Sequence, residues 1–256
     1  MSGADKSRCV IAQGKEGLEP LLKNLDETFD QTGVTLYQAR NVLKRLIWDE
    51  RQVIVKSFAV PNALNRLLYR WVRKSKARRS FEHALELSKR GITTPSPIGY
   101  IEYDVGLGLA RSFYAYVEWP ADSTLRDCLT NPDDPDRIEM LTALGTFTWQ
   151  MHQQGVNFLD FSPGNILVQW KTNKSFCLVD INRMRFQSLT LEERMRTFAR
   201  LWATDEDLET IVAGYALASG DNTALATALA IRYSQAHKRR SWRKEKIKTW
   251  LNLHKP

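Results

Sequence analysis

The sequence predicts an α+β chain of two lobes, an antiparallel β-rich N-lobe with one helix and a reduced, mainly α-helical C-lobe. Three observations predict it. Strand-forming runs crowd between Val34 and Phe58, separated by short polar breaks. One segment of helical period follows, "SKARRSFEHALELSKRG". Beyond Leu191 no proline occurs until Pro256, which suits a run of helices. These features place an N-terminal extension with a helix at 1–30, the first lobe at 31–119 and the second at 120–256.

The elements follow in order. Glu16 to Phe29 reads as a short amphipathic helix, and Val34–Gln38, Val42–Trp48 and Val53–Phe58 as three antiparallel strands, the last closed by Pro61. The helix that follows shows its buried face at Ala77, Phe81, Ala84, Leu85 and Ser88, and Gly91 stops it. "TTPSPIGYIEY" is a proline-punctuated link into a strand, and "RSFYAYVEWP" is an aromatic strand ended by Pro120. In "DSTLRD", Asp122 or Ser123 is expected to cap a helix, with a sugar contact at Asp122 as the second reading. Ile138 to Gln154 is a long apolar-periodic helix, at whose end His152 packs or caps. Two short strands then interrupt the helices. A two-lobed chain with such a polar-tipped hairpin would concentrate chemistry between its lobes.

Composition narrows the class. With 256 residues, 43% hydrophobic and 26% charged, the chain has enough apolar material for a well-developed core and no tract of low complexity. Cys9, Cys128 and Cys177 are odd in number and widely spaced, which argues against a disulfide framework or a zinc site. Cys177, inside an apolar strand, reads as an inert buried thiol. The first twenty residues lack an apolar core of signal-peptide length, and no later run would span a membrane, so the expected place is the cytoplasm or a membrane surface. The net charge of +8 is concentrated in two runs, 65–79 and 237–250, which attract polyanions. Tyr69, Trp71, Trp242 and Trp250 beside them suit either a lipid headgroup layer or nucleic-acid stacking.

The chemistry is concentrated in "GVNFLDFSPGNILVQWKTNKSFCLVDINRMRF". Asp160, a five-residue step to Asn165, an apolar strand, a turn, a second apolar strand and Asp180 form an arrangement suited to phosphoryl transfer. That reaction needs a carboxylate to accept or orient a hydroxyl proton, and oxygen ligands for Mg²⁺ beside the triphosphate. The strands stay apolar because they anchor the site, and only their ends are polar. Upstream, "VIVK" sets Lys56 on the third strand.

These motifs resemble the eukaryotic-type kinase fold, and more closely the bacterial lipopolysaccharide core kinases that phosphorylate Kdo or heptose. The resemblance runs from about Gly33 to the C-terminus. It is carried by "QARN" in place of a glycine-rich loop, "VKSF", "SKARRSFEHALELSKRGITTPSPIGYIE", "GVNFLDFSPGNIL" and "LVDINRMRF". It implies that Lys56 binds phosphate, that Glu82 (or Glu86 one turn later) positions it, and that Asp160 is the catalytic base. It also implies that Asn165 and Asp180 hold Mg²⁺. Val117, Glu118 and Trp119 would form the hinge that bonds adenine through backbone groups, and Arg40 and Asn41 would lie over the phosphates of ATP. His83 reads as a helix-surface residue.

The departures from the kinase pattern are informative. Phe158 stands where a histidine is usual, and an aromatic packs there instead. Leu159 replaces the arginine that senses a phosphorylated activation loop, and Asp180-Ile-Asn replaces Asp-Phe-Gly. Ser162 replaces a lysine, with Arg183 or Arg185 as substitutes for its charge, and Ala39 replaces a glycine. No Ala-Pro-Glu follows Asp180, which favours a small-molecule or glycan acceptor over a protein. The reading is an ATP- and Mg²⁺-dependent kinase acting on a sugar hydroxyl of lipopolysaccharide core. Its basic runs would meet anionic lipid at the inner face of the inner membrane, at about 1 kcal/mol per nearby Lys or Arg. Nucleic acid is the weaker fit. Two alternatives stay open: a pseudokinase-like module that binds nucleotide without turnover, and a protein kinase of atypical type.

Overall fold

The structure, a computed structural model, describes residues 7–59, 74–105 and 108–253. The strand-closing Pro61, Tyr69, Trp71 and most of the basic run 65–79 lie outside them. The chain forms two compact units: Met1–Pro120 with Asp180–Arg183, and Ala121–Val179 with Met184–Pro256.

The first unit is a six-stranded antiparallel sheet with helices. Strand β1 (Ser7–Ile11) leads through a 3₁₀ turn (Glu16–Leu18) to helices α1 (Glu19–Lys23) and α2 (Leu25–Thr28). Strands β2 (Val34–Gln38), β3 (Val42–Trp48) and β4 (Arg51–Phe58) follow, then helix α3 (Lys76–Lys89) and strands β5 (Pro97–Val105) and β6 (Gly108–Val117). The strand order is β1-β5-β6-β4-β3-β2.

The middle strands β2 and β3 lie where the sequence predicts them, and the N-terminal residues join the sheet and core of the first unit. Residues 7–29 are not an extension. β1 pairs with β5 from Ser7↔Tyr103 to Ile11↔Gly99, and Leu18, Leu21, Leu22, Leu25 and Phe29 pack on Leu46, Val53, Val55, Ile98 and Phe113 as one buried core. Without them that face of the sheet would stand in water. The single expected helix is broken because Pro20, with no N–H to offer the preceding turn, restarts it, and Asn24 interrupts it again. Lys44 is 8% exposed, and its ammonium donates to the carbonyls of Phe29, Asp30 and Thr32 at 2.6, 3.1 and 3.2 Å, capping the end of α2.

Strand β4 begins two residues earlier than expected. Asp49 and Glu50 both take positive φ (48° and 60°), a two-residue turn that pairs Trp48 with Arg51 directly. The alternation of β4 sends Val53 and Val55 to the α1–α2 core and Ile54, Lys56 and Phe58 to the other face. Lys56 there stands opposite Tyr114 of β6, and α3 covers that face with Phe81 against Tyr100, ring centres 5.5 Å apart. Ser75 caps α3 by accepting from the Arg78 N–H. Its buried residues are Ala77, Ser80, Phe81, Ala84 and Leu87, so Leu87 takes the place expected for Leu85 and Ser88.

The second unit opens with β7 (Ser123–Thr124), α4 (Leu125–Thr130) and α5 (Arg137–Gln153). Strands β8 (Val156–Phe158), β9 (Ile166–Gln169), β10 (Ser175–Leu178) and β11 (Met184–Phe186) are short, and helices α6 (Leu191–Thr197), α7 (Asp205–Ser219) and α8 (Thr223–Leu253) complete it. Capping boxes start α4 (Thr124 with Asp127), α6 (Thr190 with Glu193) and α7 (Thr204 with Asp207). The cap of α4 is therefore Thr124 and not Asp122 or Ser123. Asp122 Oδ2 instead accepts from the backbone N–H groups of Trp170 and Lys171, at 2.8 and 2.9 Å, and braces the β9–β10 hairpin. Helices α5 and α7 cross backbone to backbone at Gly145 and Gly214, where a methyl group on either would collide with a main-chain carbonyl.

Cys128 and Cys177 are buried thiols, and burial pushes both up, Cys128 to about 11. Among the described residues no helix is long and apolar enough to cross a membrane, and no group of three or more His, Cys, Asp or Glu is placed to hold a metal ion.

Candidate active site

In the first unit Lys56 and Asp180 meet. Lys56 Nζ lies 2.6 Å from Asp180 Oδ1, with the lysine side chain 14% exposed. The turn Asp180–Ile181–Asn182 is held from two sides. Asn182 Nδ2 donates to Asp180 Oδ1 at 2.7 Å, and His83 of α3 bonds the Ile181 carbonyl at 2.7 Å through Nδ1, which therefore carries the proton. His83 is thus an anchor and not an idle surface residue; burial holds its pKa below the usual histidine value. Asp180 itself adopts φ 54°, a left-handed conformation that aspartate tolerates at a cost of about 1 kcal/mol.

Glu82 does not take the place expected for it. Its carboxylate pairs with Lys74 Nζ at 2.7 Å and with Arg78 Nε at 2.8 Å. Burial works to raise Glu82, but those two hydrogen-bonded cations outweigh it and hold it below the usual carboxylate range. The reason is local: Arg78 stands one helical turn before Glu82, within easy reach, whereas Lys56 has the Asp180 carboxylate as partner. Glu86, the fallback, pairs with Arg90 in the same way.

A cation missed by sequence reading stands at the start of α3. Lys76 is half-buried, and its pKa is pushed down first by burial, then by the positive charges of Arg40, Lys56 and Arg79, against the pull of Asp180. Arg40, Lys56 and Lys76 thus share one positive field around Asp180. Asn41, beside Arg40 in the turn after β2, accepts the Ala59 N–H through Oδ1 at 3.2 Å and so braces that turn.

The proposed hinge is more occupied than expected. The Val117 N–H donates to Ser96 O and the Glu118 N–H to Gln52 O, both at 2.9 Å, which extends the pairing of β6 to its end. The Glu118 carboxylate is clamped by Arg45, Nε to Oε2 at 2.6 Å. The backbone N–H groups of Val117 and Glu118 are therefore already engaged within the first unit.

In the second unit, Asn165 Nδ2 donates to the Asp160 carbonyl at 3.0 Å, which fixes the carboxamide against the loop. The Val179 N–H, one residue before Asp180, donates to Asn165 O at 3.0 Å. Asp160 Oδ1 accepts from Arg200 Nη1 at 2.9 Å, a partner forty residues away that no spacing revealed. Phe158 is buried, edge-on to Phe161, which packs edge-on against Phe198 and that against Tyr215. This aromatic stack supports the loop where kinases use a histidine. His152 is buried as well, between Tyr215 Oη (3.1 Å) and Thr197 Oγ1 (3.2 Å).

The Asp180 carboxylate and the Asn165 carboxamide each offer hard oxygen donors, the kind that Mg²⁺ takes together with water and substrate phosphates.

Comparison with known proteins agrees with the resemblance read from the motifs. A family model described as the lipopolysaccharide kinase (Kdo/WaaP) family matches residues 37–215. Among solved structures, one titled WaaP in complex with acyl carrier protein aligns at a TM-score of 0.60, with 15% identity over 91% of this chain and 98% of that one. A Stt7 homolog from Micromonas algae soaked with ATP aligns at 0.41, with 12% identity over 60% of this chain and 49% of that one. The search of curated proteins found no match. The first of these structures shares its fold with this chain.

Proposed function

The chain belongs to the lipopolysaccharide kinase (Kdo/WaaP) family, and we propose that it transfers the γ-phosphoryl group of ATP, with Mg²⁺, to a sugar hydroxyl of lipopolysaccharide core, on Kdo or heptose. The observation that carries the reading is the Lys56–Asp180 pair, since it joins a phosphate-binding lysine to a metal-binding carboxylate, the two groups a nucleotide kinase must hold together.

In this reading Lys56 leaves Asp180 for the α- and β-phosphates when nucleotide enters, and Arg40 adds its charge over them. Asp180 and Asn165 would supply protein oxygen ligands to Mg²⁺, and the ion would neutralise phosphate charge. Asp160 accepts the proton of the acceptor hydroxyl as its oxygen attacks phosphorus and the bond to the β-phosphate oxygen breaks. Arg200 fixes the orientation of that carboxylate. The carbonyls of Val117 and Glu118, with Trp119, receive the adenine.

On the exposed side of α8, Trp242 is 60% exposed with Lys246 over its ring at 3.7 Å, which supports contact with anionic lipid on the cytoplasmic face of a membrane. A thermal-shift titration with ATP and Mg²⁺, run beside mass spectrometry of lipopolysaccharide from cells with and without the protein, tests the proposal. Stabilisation by nucleotide together with one phosphate missing from the mutant glycolipid is expected. Nucleotide binding with unchanged lipopolysaccharide would favour a module without turnover.

A further inference from the structure

A cavity of about 590 Å³ in the second unit has a composition that the phosphoryl-transfer reading leaves unused. Its lining carries five arginines, Arg185, Arg196, Arg200, Arg232 and Arg240, together with His237. Glu193 is the acidic lining residue, and its carboxylate is occupied at the start of α6, where Oε2 accepts from the Thr190 N–H at 3.0 Å and hydroxyl at 3.2 Å. Asp160 pairs with Arg200 and Glu192 lies 3.9 Å from Arg232, yet the lining still holds more guanidinium than carboxylate, and such an excess attracts anions.

The helix face explains how the charges converge. Arg232, Tyr233, Ala236, His237 and Arg240 recur at the spacing that puts them on one side of α8, facing Arg196 of α6 and Arg200 in the 3₁₀ turn Phe198–Arg200. Two of the guanidiniums are already immobilised. Arg196 and Arg232 lie over the Tyr233 ring, 4.7 and 4.9 Å from its centre, and both donate to its hydroxyl, which donates in turn to Glu192 at 2.8 Å. Arginine forks held in this way lose little freedom on meeting an oxyanion, and they match phosphate and carboxylate geometry. The pKa of His237 points the same way, lowered by burial and then by Arg200, Lys244 and Arg240.

The cavity also borders the reacting end of the unit. Asn157, Phe158 and Leu159 line it, and Asp160 is the next residue. Arg200 has one guanidinium edge on Asp160 while its side chain lines the cavity. An anion seated there is within one arginine of the carboxylate that meets the acceptor hydroxyl.

We propose that this cavity is an acceptor subsite which seats an anionic group of the glycan, a phosphate monoester or a sugar carboxylate, beside the hydroxyl to be phosphorylated. The proposal rests on the reading of Asp160 as the residue that orients that hydroxyl. It gives the enzyme a way to select acceptors that already carry negative charge, and it assigns His237 and Arg240 of the basic run 237–250 to substrate instead of lipid.

Two measurements on the full chain test it. In the first, calorimetric titration with methyl phosphate and with acetate compares the wild type with an Arg196→Gln/Arg232→Gln double variant, whose two side chains are exposed and whose folding is checked by circular dichroism. Binding of either anion that weakens about tenfold or more in the variant is expected, from the loss of two charge-assisted contacts. No binding, or equal binding by both proteins, overturns the subsite without touching the kinase reading. In the second, transfer kinetics use core glycolipid that is intact, phosphatase-treated or carboxyl-reduced. The wild type should show a higher acceptor KM for one treated form, which identifies phosphate or carboxylate as the anion, and the double variant should lose that discrimination. Equal KM for all three acceptors with the wild type overturns the proposal. Absence of transfer to any acceptor, with anion binding intact, would fault the kinase reading and leave the anion site standing.

Discussion

Lowering the pH from about 7 to about 4.5 should strip stability from this protein through His152. The imidazole is 4% exposed at the end of α5, bonded to Tyr215 and Thr197, and burial followed by the positive charge of Arg194 lowers its pKa to about 3. The unfolded chain takes up a proton near pH 6.5, and the folded chain resists it to about 3. A group depressed in the folded state contributes stability above its unfolded pKa and loses it as the pH falls. Each unit of difference is worth 1.36 kcal/mol, so the contribution lost by about pH 4.5 is roughly 2.5 kcal/mol. Urea unfolding of the wild type and of His152→Gln at both pH values reads this directly. The variant should begin less stable at neutral pH and then lose about 2.5 kcal/mol less on acidification, because other titrating groups act equally in both. Parallel losses in the two proteins would refute the claim that a neutral, buried His152 clamps α5 to α6 just before the Asp160 loop.

Other outcomes follow from the site and the packing. Lys56→Met should reduce phosphate transfer by about 10²-fold or more, as loss of a preorganised charge on the phosphates does, whereas Glu82→Gln should cost less than tenfold because Glu82 serves Lys74 and Arg78. Steady-state kinetics at saturating acceptor separates the two. Gly145→Val should destabilise the second unit by about 3 kcal/mol or more, since no relaxed rotamer clears the Ile211 carbonyl, and a lowered urea midpoint measures it. His83→Ala should leave the fold in place but loosen the Asp180 turn, seen as a raised Mg²⁺ requirement with nearly unchanged urea midpoint.

The sequence made most of the fold legible where local rules decide it. β2, β3, α3 and α5 were readable because alternation or helical period runs cleanly between turn residues. β1 was not: "SRCVI" is short and half-polar, and only its pairing with β5 makes it a strand. The candidate site residues stood out by motif, and the structure brings Lys56 to Asp180 and Asn165 to the Asp160 carbonyl, while the roles assigned to them are those proposed above. The partners of these residues did not stand out. Nothing in spacing distinguishes Lys56–Glu82 from Lys56–Asp180, and an ion pair such as Asp160–Arg200 is set by how α6 leads into a 3₁₀ turn. The arginine cavity was half visible as charge density near His237, while Arg196 and Arg232 lie outside that run and converge on Tyr233 only in the folded chain.

The central claim is that Asp160 and Asp180 serve one phosphoryl transfer. The most direct test incubates purified protein with γ-labelled ATP, Mg²⁺ and lipopolysaccharide core lacking the modification. Label should enter the glycolipid with the wild type and fall by at least about 10²-fold with Asp160→Asn and with Asp180→Asn. Transfer that survives either substitution undiminished would contradict the account.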